Sequence, residues 1–208
     1  MIAVSDMEEK KTKKQIIMDA ALNLFSEKGY AAVGVDEIGA AAGVKGPAIY
    51  HYFKGKEAIL TELLNTYEEY YGSRFGNRND HLQIPGTLDE FIEISLERLN
   101  FTIHDPQIRK FRKLITIEQF RNNTFSELAT EHFLINTVDL NKMILTELIK
   151  AGQVKDYDPD LVAFEFTAPV TSLIALIDRE PEKEEMVMNI IHNHMEHFKT
   201  IYAVKNCK

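Results

Sequence analysis

The sequence predicts an all-α protein of about nine helices, and three observations support this. Apolar residues recur at intervals of three and four along most of the chain, which is the spacing of one face of a helix. Asp-Pro pairs and threonines stand where such segments begin, and glycines stand where several of them end. No stretch alternates apolar and polar residues between turn signals, so no β-sheet is expected.

The first helix is expected from about Thr12 to Lys28. Thr12 can cap it, since Gln15 follows at the spacing of a capping box. Gly29 comes directly after Lys28 and is a natural end for the helix. Its apolar face is expected to contribute to the core of a small N-terminal module.

A tight turn is expected to join the second and third helices. The second covers about residues 36–42 and ends at Gly43, because glycine accepts left-handed backbone at a helix terminus. The third begins near Pro47, where a missing N–H costs nothing, and Gly46 is the expected cap. This is the helix-turn-helix pattern, in which the helix after the turn enters the major groove of DNA.

The rest of the chain is expected to be helical and to form a second domain. We place a helix-turn-helix DNA-binding domain in residues 1–55 and a larger helical domain in residues 56–208. Asp105-Pro106 and Asp158-Pro159 are starts at which the aspartate caps and the proline takes the first helical position. The expected helices cover about residues 56–71 or beyond, 87–103, 105–122, 125–151, 158–178 and 182–204.

Charge is distributed unevenly between these parts. The chain has 24 Lys and Arg and 32 Asp and Glu, a net charge of −8 that disfavours nonspecific binding of polyanions by the whole molecule. Residues 1–56 carry +1 and the remainder −9, so a nucleic-acid contact is expected from the N-terminal part. Its lysine cluster fits a solvated tail and a DNA-binding arm equally well; the cluster comprises Lys10, Lys11, Lys13 and Lys14.

The sequence favours a cytoplasmic protein without a membrane partner. Its one cysteine, Cys207, cannot form a disulfide within the chain. No signal peptide is recognisable at the start, and no apolar run is expected to reach the about 20 residues of a membrane-spanning helix.

Two motifs carry a family resemblance. Ile38-x-x-x-Ala42-Gly43-Val44 is followed by Ile49-Tyr50-His51-Tyr52-Phe53-x-x-Lys56-Glu57-x-x-Leu60. Together, over about residues 12–60, they resemble the TetR (tetracycline-repressor-like) family of bacterial transcription regulators. The resemblance implies a homodimer that binds a palindromic operator in double-stranded DNA and releases it when a small molecule enters the larger domain. It implies no cofactor.

The resemblance also places the DNA contacts. Tyr50 matches an aromatic residue that contacts phosphate and plugs the core, and His51 and Tyr52 match positions that touch the backbone or bases. Pro47 and Ala48 match positions that contact bases, and their small apolar side chains suit contact with thymine methyl groups. Many relatives have Ser, Lys and Thr around the start of this helix, where this chain has Lys45, Gly46 and Ala48. Fewer hydroxyl groups make fewer hydrogen bonds to phosphate, so Lys45 and the N-terminal lysines are expected to carry more of the affinity. The implied set is Lys45, Gly46, Pro47, Ala48, Tyr50, His51, Tyr52 and Lys56, the last as a phosphate contact.

The larger domain is expected to hold an effector and to form the dimer. Pockets of this kind are mainly apolar, which makes five aromatic residues candidates for its lining. The last two helices carry wide apolar faces that are expected to pack against their two-fold mates as four helices. The five residues are Tyr67, Tyr71, Phe101, Phe120 and Phe164.

The sequence allows alternative interpretations of the C-terminal histidines and of the function. His192, His194 and His197 could hold a metal, but ordinary packing is favoured because no further ligand completes a shell. No catalytic motif is present, so the protein is not expected to be an enzyme. The alternative is a helical small-molecule-binding protein or enzyme with no DNA role. The sequence does not distinguish a repressor from an activator.

Overall fold

The computed structural model describes residues 11–75 and 84–204, and within these the chain is all-α. The chain divides into two compact units, the first ending at Glu68 and the second beginning at Glu69. This division lies inside a helix, whereas the sequence placed a domain boundary between residues 55 and 56.

The first unit contains α1 (Lys13–Lys28), α2 (Val35–Ala41), α3 (Gly46–Tyr52) and the first part of α4 (Lys56–Phe75). Its core is an apolar cluster to which all four helices contribute. The fully buried members are Ile17, Ala21, Phe25, Ile38, Ile49 and Ile59.

Local sequence explains the ends of α1. The Thr12 side chain accepts a hydrogen bond from Gln15 N, and the Gln15 side chain accepts one from Thr12 N, which completes the expected capping box. At the other end Gly29 N donates to Phe25 O at 3.0 Å. The exposed Lys28 lies 2.5 Å from Glu37, and this pairing raises the pKa of Lys28 and lowers the pKa of Glu37.

The second unit is built from the remaining helices. A π turn joins α7 to α8, so the described part of the chain has nine continuous helices if these two are counted as one. The helices are α5 (Leu88–His104), α6 (Pro106–Glu118), α7 (Asn123–Thr130), the π turn (Glu131–Ile135), α8 (Asn136–Lys150), α9 (Pro159–Arg179), a 3-10 turn (Pro181–Lys183) and α10 (Glu184–Tyr202).

The core of the second unit lies among α5, α8, α9 and α10. Phe166 of α9 is central, with its ring centroid 4.7 Å from that of Phe91 and 4.8 Å from that of Phe198. An ion pair joins α6 to α9, in which the buried Arg112 donates to both carboxylate oxygens of the partly buried Asp178 at 2.8 and 2.6 Å. Arg112 also donates to Thr102 O, so its guanidinium has protein partners on two sides.

Among the helix boundaries that differ from the prediction, three in the second unit have a clear local reason. α6 ends at Glu118 instead of about residue 122, because Asn122 caps the next helix by accepting from Thr124 N at 2.9 Å. The same cap starts α7 at Asn123, two residues early. α10 ends at Tyr202, after which Ala203 leaves the helix and forms an isolated bridge with Val154.

Helix α9 corrects one expectation from the sequence. It is long and apolar enough to cross a membrane by length and composition, and only 28% of its most apolar stretch is buried. One such helix is weak evidence for a membrane protein, because a helix that packs against another protein surface has the same composition.

Candidate nucleic-acid interface and effector cavity

Glycines shape the turn between α2 and α3. Gly43 has a φ of +66°, so this position favours glycine, as the sequence predicted. Gly39 serves a different purpose, because a Cβ there would lie 3.1 Å from Val44 O and 3.3 Å from the Ile49 side chain. Val44 N donates to Gly39 O at 2.9 Å across the turn. The two helices are therefore held in close backbone contact.

Helix α3 separates its core residues from its exposed aromatic residues. Ile49 and, just after the helix, Phe53 are buried and anchor it to the first unit. Tyr50 is 60% exposed, so the expectation that it also plugs the core is wrong. His51 and Tyr52 are exposed as well, and their rings meet edge-on with centroids 5.0 Å apart. The aromatic side chains of residues 50–52, each with a hydroxyl group or ring nitrogens, are thus exposed to solvent.

The start of α3 differs by one residue from the prediction. Lys45, not Gly46, is the N-cap, and Gly46 is the first helical residue. Lys45 and Pro47 are exposed, while Gly46 and Ala48 are partly buried. This edge therefore presents one positive charge beside small apolar groups.

Lys56 is held by the connection between α1 and α2. Its ammonium donates to Tyr30 O at 2.8 Å and Val33 O at 2.9 Å, and it lies 4.4 Å from the Tyr30 ring centroid. Burial, together with Glu57, raises the pKa of Tyr30 to about 12. The ammonium fixes the start of α4 against this connection, a role that the sequence analysis did not foresee. Its predicted phosphate contact stays a prediction.

The N-terminal lysines have unequal surroundings. Lys11 lies 2.6 Å from Asp19, and Lys14 forms an ion pair with Glu62 of α4. Lys13 is exposed, and Lys10 lies outside the described residues. Lys11 and Lys14 are therefore tied to acidic side chains of this same unit.

A cavity of about 810 Å³ lies in the second unit. The polypeptide around it comes mainly from α5, with the end of α4 and α8 contributing single residues. Its lining combines apolar, basic, acidic and neutral polar side chains: Arg74, Pro85, Phe91, Ile94, Ser95, Glu97, Arg98, Asn100, Phe101, His104, Asp105 and Ile144.

Of the five predicted effector residues, Phe101 lines this cavity. Tyr71 lies beside it, with its hydroxyl 3.3 Å from Thr102 Oγ1 and its ring 6.1 Å from that of Phe101. Tyr67 is buried in the first unit, whereas Phe120 is 91% exposed and Phe164 is 49% exposed. None of these last three is among the residues that line the cavity.

Sequence analysis missed the two arginines of the cavity. A signal was present, because Ile94, Arg98 and Phe101 share one face of α5 at helical spacing. A basic residue within an apolar stripe indicates either a buried pair or a binding site. Arg74 gave no such signal, since its position near the end of α4 looks like an ordinary favourable charge.

Helices α9 and α10 expose several large apolar side chains. Leu161 and Phe164 on α9 and Met186, Ile190 and Ile201 on α10 are all exposed. The helical spacing of apolar residues in this segment is satisfied equally well with Ile190 or with Ile191 on the packed face of α10. Ile191 is buried in the unit, and Ile190 is the exposed one.

The C-terminal histidines have protein partners. His194 Nε2 lies 3.1 Å from Phe166 O, and His192 Nδ1 lies 2.7 Å from Met188 O. Within residues 11–75 and 84–204, no group of three or more His, Cys, Asp or Glu side chains is arranged to hold a metal ion.

Comparisons with known proteins agree with this architecture. The sequence model of "Bacterial regulatory proteins, tetR family" matches residues 17–63, which span most of α1 to the first part of α4. The chain is 21% identical to the probable HTH-type transcriptional regulator YttP of Bacillus subtilis over 173 residues, 83% of this chain and 80% of YttP. It is 27% identical to the fatty acid metabolism regulator protein of Bacillus subtilis over 153 residues, 72% of this chain and 75% of that protein.

A solved structure extends the match to the whole fold. SmeT is the repressor of the Stenotrophomonas maltophilia multidrug efflux pump SmeDEF. Its complex with triclosan matches with a TM-score of 0.72 and 19% identity over 94% of each chain, a likeness that shows the fold. The helix-turn-helix geometry, the family model that matches residues 17–63 and the regulatory relatives together give one conclusion: the chain carries the DNA-binding region of the tetR family of bacterial regulatory proteins and is a DNA-binding regulator.

Proposed function

We propose that the protein is a homodimeric repressor that binds a palindromic operator and is released from it by a small molecule. The observation that carries the DNA-binding part is the exposed Tyr50-His51-Tyr52 edge of α3, backed by the buried Ile49 and Phe53. A helix held this firmly can enter a major groove without losing its own packing.

The contacts would divide into two kinds. Tyr50, His51, Tyr52 and Lys45 bind phosphate or sugar oxygens and position the helix, which gives affinity. Pro47 and Ala48, with Gly46 beside them, approach base edges, where their small apolar groups suit thymine methyls. Lys56 supports this surface by holding the start of α4.

The exposed apolar faces of α9 and α10 support a homodimer. Large hydrocarbon side chains on two adjacent helices form the kind of patch that another protein surface covers. In a two-fold arrangement the same patch of each copy meets its mate and forms a four-helix interface. Two copies of α3 would then reach successive major grooves of a palindromic site.

The cavity of the second unit is the proposed effector site. Its size suits a small organic molecule, and its lining combines apolar side chains with polar and charged ones. One relative is named as a regulator of fatty acid metabolism, and the SmeT structure holds triclosan. Fatty acids and triclosan are both largely apolar molecules. Binding would favour a dimer whose DNA-binding units are wrongly spaced for the operator. On this proposal the protein is cytoplasmic, needs no cofactor and performs no catalysis.

An electrophoretic mobility shift assay tests the proposal. The full chain is titrated into labelled fragments of the DNA upstream of its own gene, at about 150 mM salt with unlabelled competitor, so that nonspecific phosphate binding is suppressed. We expect one fragment to shift and footprinting to locate a palindrome within it. If no genomic fragment binds specifically, the proposal fails, and turnover of a bound small molecule would favour an enzyme instead.

A further inference from the structure

Two acidic residues stand side by side in the first turn of α2, and their surroundings differ. Glu37 lies 2.5 Å from the ammonium of Lys28, so its charge is compensated within the first unit. Asp36 is exposed, and no other residue that the structure describes forms a hydrogen bond or an ion pair with its side chain. Asp36 therefore carries a negative charge without a partner in the unit that holds the helix-turn-helix.

The place of the Asp36 carboxylate is set by Gly46, the first residue of α3. A Cβ at Gly46 would lie 2.6 Å from Asp36 Oδ1, which is closer than two such atoms pack. The carboxylate thus occupies the space that a side chain at position 46 would fill. Gly46 stands between Lys45 and Pro47, two exposed residues of the surface that is proposed to meet DNA. The carboxylate of Asp36 therefore extends this surface from α3 to α2.

A carboxylate at this place is unfavourable against the DNA backbone. Phosphate groups are negative, so a like charge beside them lowers the affinity. Lys45, which precedes Gly46, forms no ion pair with any residue in the described parts of the chain, so it does not neutralise Asp36. The carboxylate gains energy from DNA where a base offers it a hydrogen-bond donor.

The major groove offers two such donors, the amino groups of cytosine and adenine. Guanine and thymine present acceptors there, which repel a carboxylate. Adenine has its N7 acceptor beside its amino group, whereas the edge of cytosine presents the N4 amino group without an acceptor. Cytosine is therefore the base whose edge a carboxylate matches best.

We propose that Asp36 contacts a cytosine in each half of the operator, with its carboxylate accepting a hydrogen bond from the N4 amino group, and that Gly46 leaves the space for this carboxylate. The proposal rests on the operator binding proposed above and adds one base to the description of the operator. Pro47 and Ala48 offer bases only apolar contact. Asp36 supplies the polar base contact that this edge of α3 lacks.

Selection of binding sites from random DNA duplexes tests the proposal. The full-length protein and Asp36→Asn are each incubated with the same library at about 150 mM salt, and the bound duplexes are sequenced. We expect the wild type to enrich a palindrome with a cytosine in each half. Asp36→Asn should lose this preference or shift it to adenine, because an amide matches the N6 and N7 groups of adenine. The preferences at other positions should stay.

Fluorescence anisotropy with single duplexes gives the size of the effect. Replacing the cytosine by thymine in one half-site should weaken binding of the wild type by about tenfold or more. The same replacement should weaken binding of Asp36→Asn by less than about threefold, because the carboxylate that distinguishes the two bases is gone. Equal losses for both proteins contradict the proposal.

Glu37→Gln is the matched control, since it removes the same charge from the next residue of α2. It should leave every base preference unchanged. If Asp36→Asn strengthens binding to all duplexes alike, the carboxylate only repels phosphates and the proposal is wrong. If Asp36→Asn melts at a lower temperature and weakens binding to all duplexes alike, the carboxylate has a structural role and the proposal is equally wrong.

Gly46→Ala tests the geometry from the other side of the contact. Gly46 does not have a positive φ, so alanine fits its backbone. The added Cβ displaces the Asp36 carboxylate, which is the free end of a side chain, so the variant should fold. We expect it to lose the cytosine preference at the same base pair as Asp36→Asn. An undiminished preference would overturn the assignment.

These outcomes are separate from those of the proposed function. If the selection enriches no sequence and no genomic fragment shifts, the operator proposal fails together with this one. If the selection enriches a palindrome at which Asp36→Asn changes no base preference, the operator proposal stands and only the role of Asp36 is lost.

Discussion

Two surfaces of this protein expose large side chains, and they do so with opposite chemistry. On α3 the exposed side chains include Tyr50 and His51, whose rings end in groups that form hydrogen bonds. On α9 and α10 they include Phe164 and Ile190, which are 49% and 44% exposed and purely hydrocarbon. Water forms hydrogen bonds with the polar groups of the first surface until DNA replaces it, but it forms none with the hydrocarbon side chains of the second. The first therefore suits a polyanion and the second suits another copy of the chain.

The interiors of the two units also differ. In the described part of the first unit, Ser26 is the one polar or charged residue in the buried class. The second unit buries Arg112, Glu118, Asn141 and Thr167, and Asn141 donates to Thr167 at 2.8 Å. The buried interior of the small unit is thus almost entirely apolar, whereas that of the larger one also contains specific polar pairs.

The largest expected effect comes from placing a charge on the apolar surface. In Phe164→Glu the carboxylate would have to be buried in the dimer interface without a partner, so we expect a monomer. Operator affinity should fall at least about 100-fold, because one copy then binds one half-site. Light scattering after gel filtration measures the mass. The matched control is Met143→Glu, at an exposed methionine on α8 outside this surface; dissociation of both variants, or of neither, contradicts the proposed interface.

The Arg112–Asp178 ion pair is expected to have the next largest effect. Arg112→Met leaves Asp178 without its guanidinium, which should lower the free energy of unfolding by about 3 kcal/mol. Chemical denaturation followed by circular dichroism measures this. Adding Asp178→Leu should restore part of the loss, because the uncompensated carboxylate is then gone. Lys150→Met, at an exposed pair with Glu147, is the control and should change stability by less than about 0.5 kcal/mol.

Tyr50→Ala tests the α3 surface without disturbing the core. The side chain is 60% exposed, so we expect an intact dimer and little change in stability. Operator affinity should fall by about 30-fold, and fluorescence anisotropy with labelled operator measures it. Tyr50→Phe separates the hydroxyl group from the ring. An unchanged affinity in Tyr50→Ala would remove this residue from the DNA contacts.

Features set by near neighbours in the chain could be predicted, and features set by distant ones could not. The Thr12–Gln15 capping box and the turn at Gly43 depend on residues a few positions apart, and both were found from sequence. Which face of α10 is buried depends on α9, so Ile190 and Ile191 could not be separated. The cavity arginines come from two different helices, and no spacing rule connects Arg74 with Arg98.

Substitutions of Lys45 and Lys56 are expected to have the smallest effects, and comparing them separates a DNA contact from a structural role. Each is a lysine near α3, but Lys45 is exposed at the N-cap while the Lys56 ammonium bonds to carbonyl oxygens of Tyr30 and Val33. A lysine that neutralises a phosphate releases a counterion when the protein binds. Without that lysine, the negative slope of log affinity against log salt concentration becomes shallower by about 0.9. We expect this change for Lys45→Gln.

Lys56→Met should instead leave the slope unchanged and weaken binding only a few-fold, because it loosens the connection that holds α4. It should also lower the thermal stability of the protein, whereas Lys45→Gln should not. Anisotropy titrations at four salt concentrations, with melting curves for both variants, separate the two roles. A slope reduced by Lys56→Met would mean that the ammonium contacts phosphate while keeping its carbonyl partners, and it would return Lys56 to the DNA-contact set that the family resemblance implies.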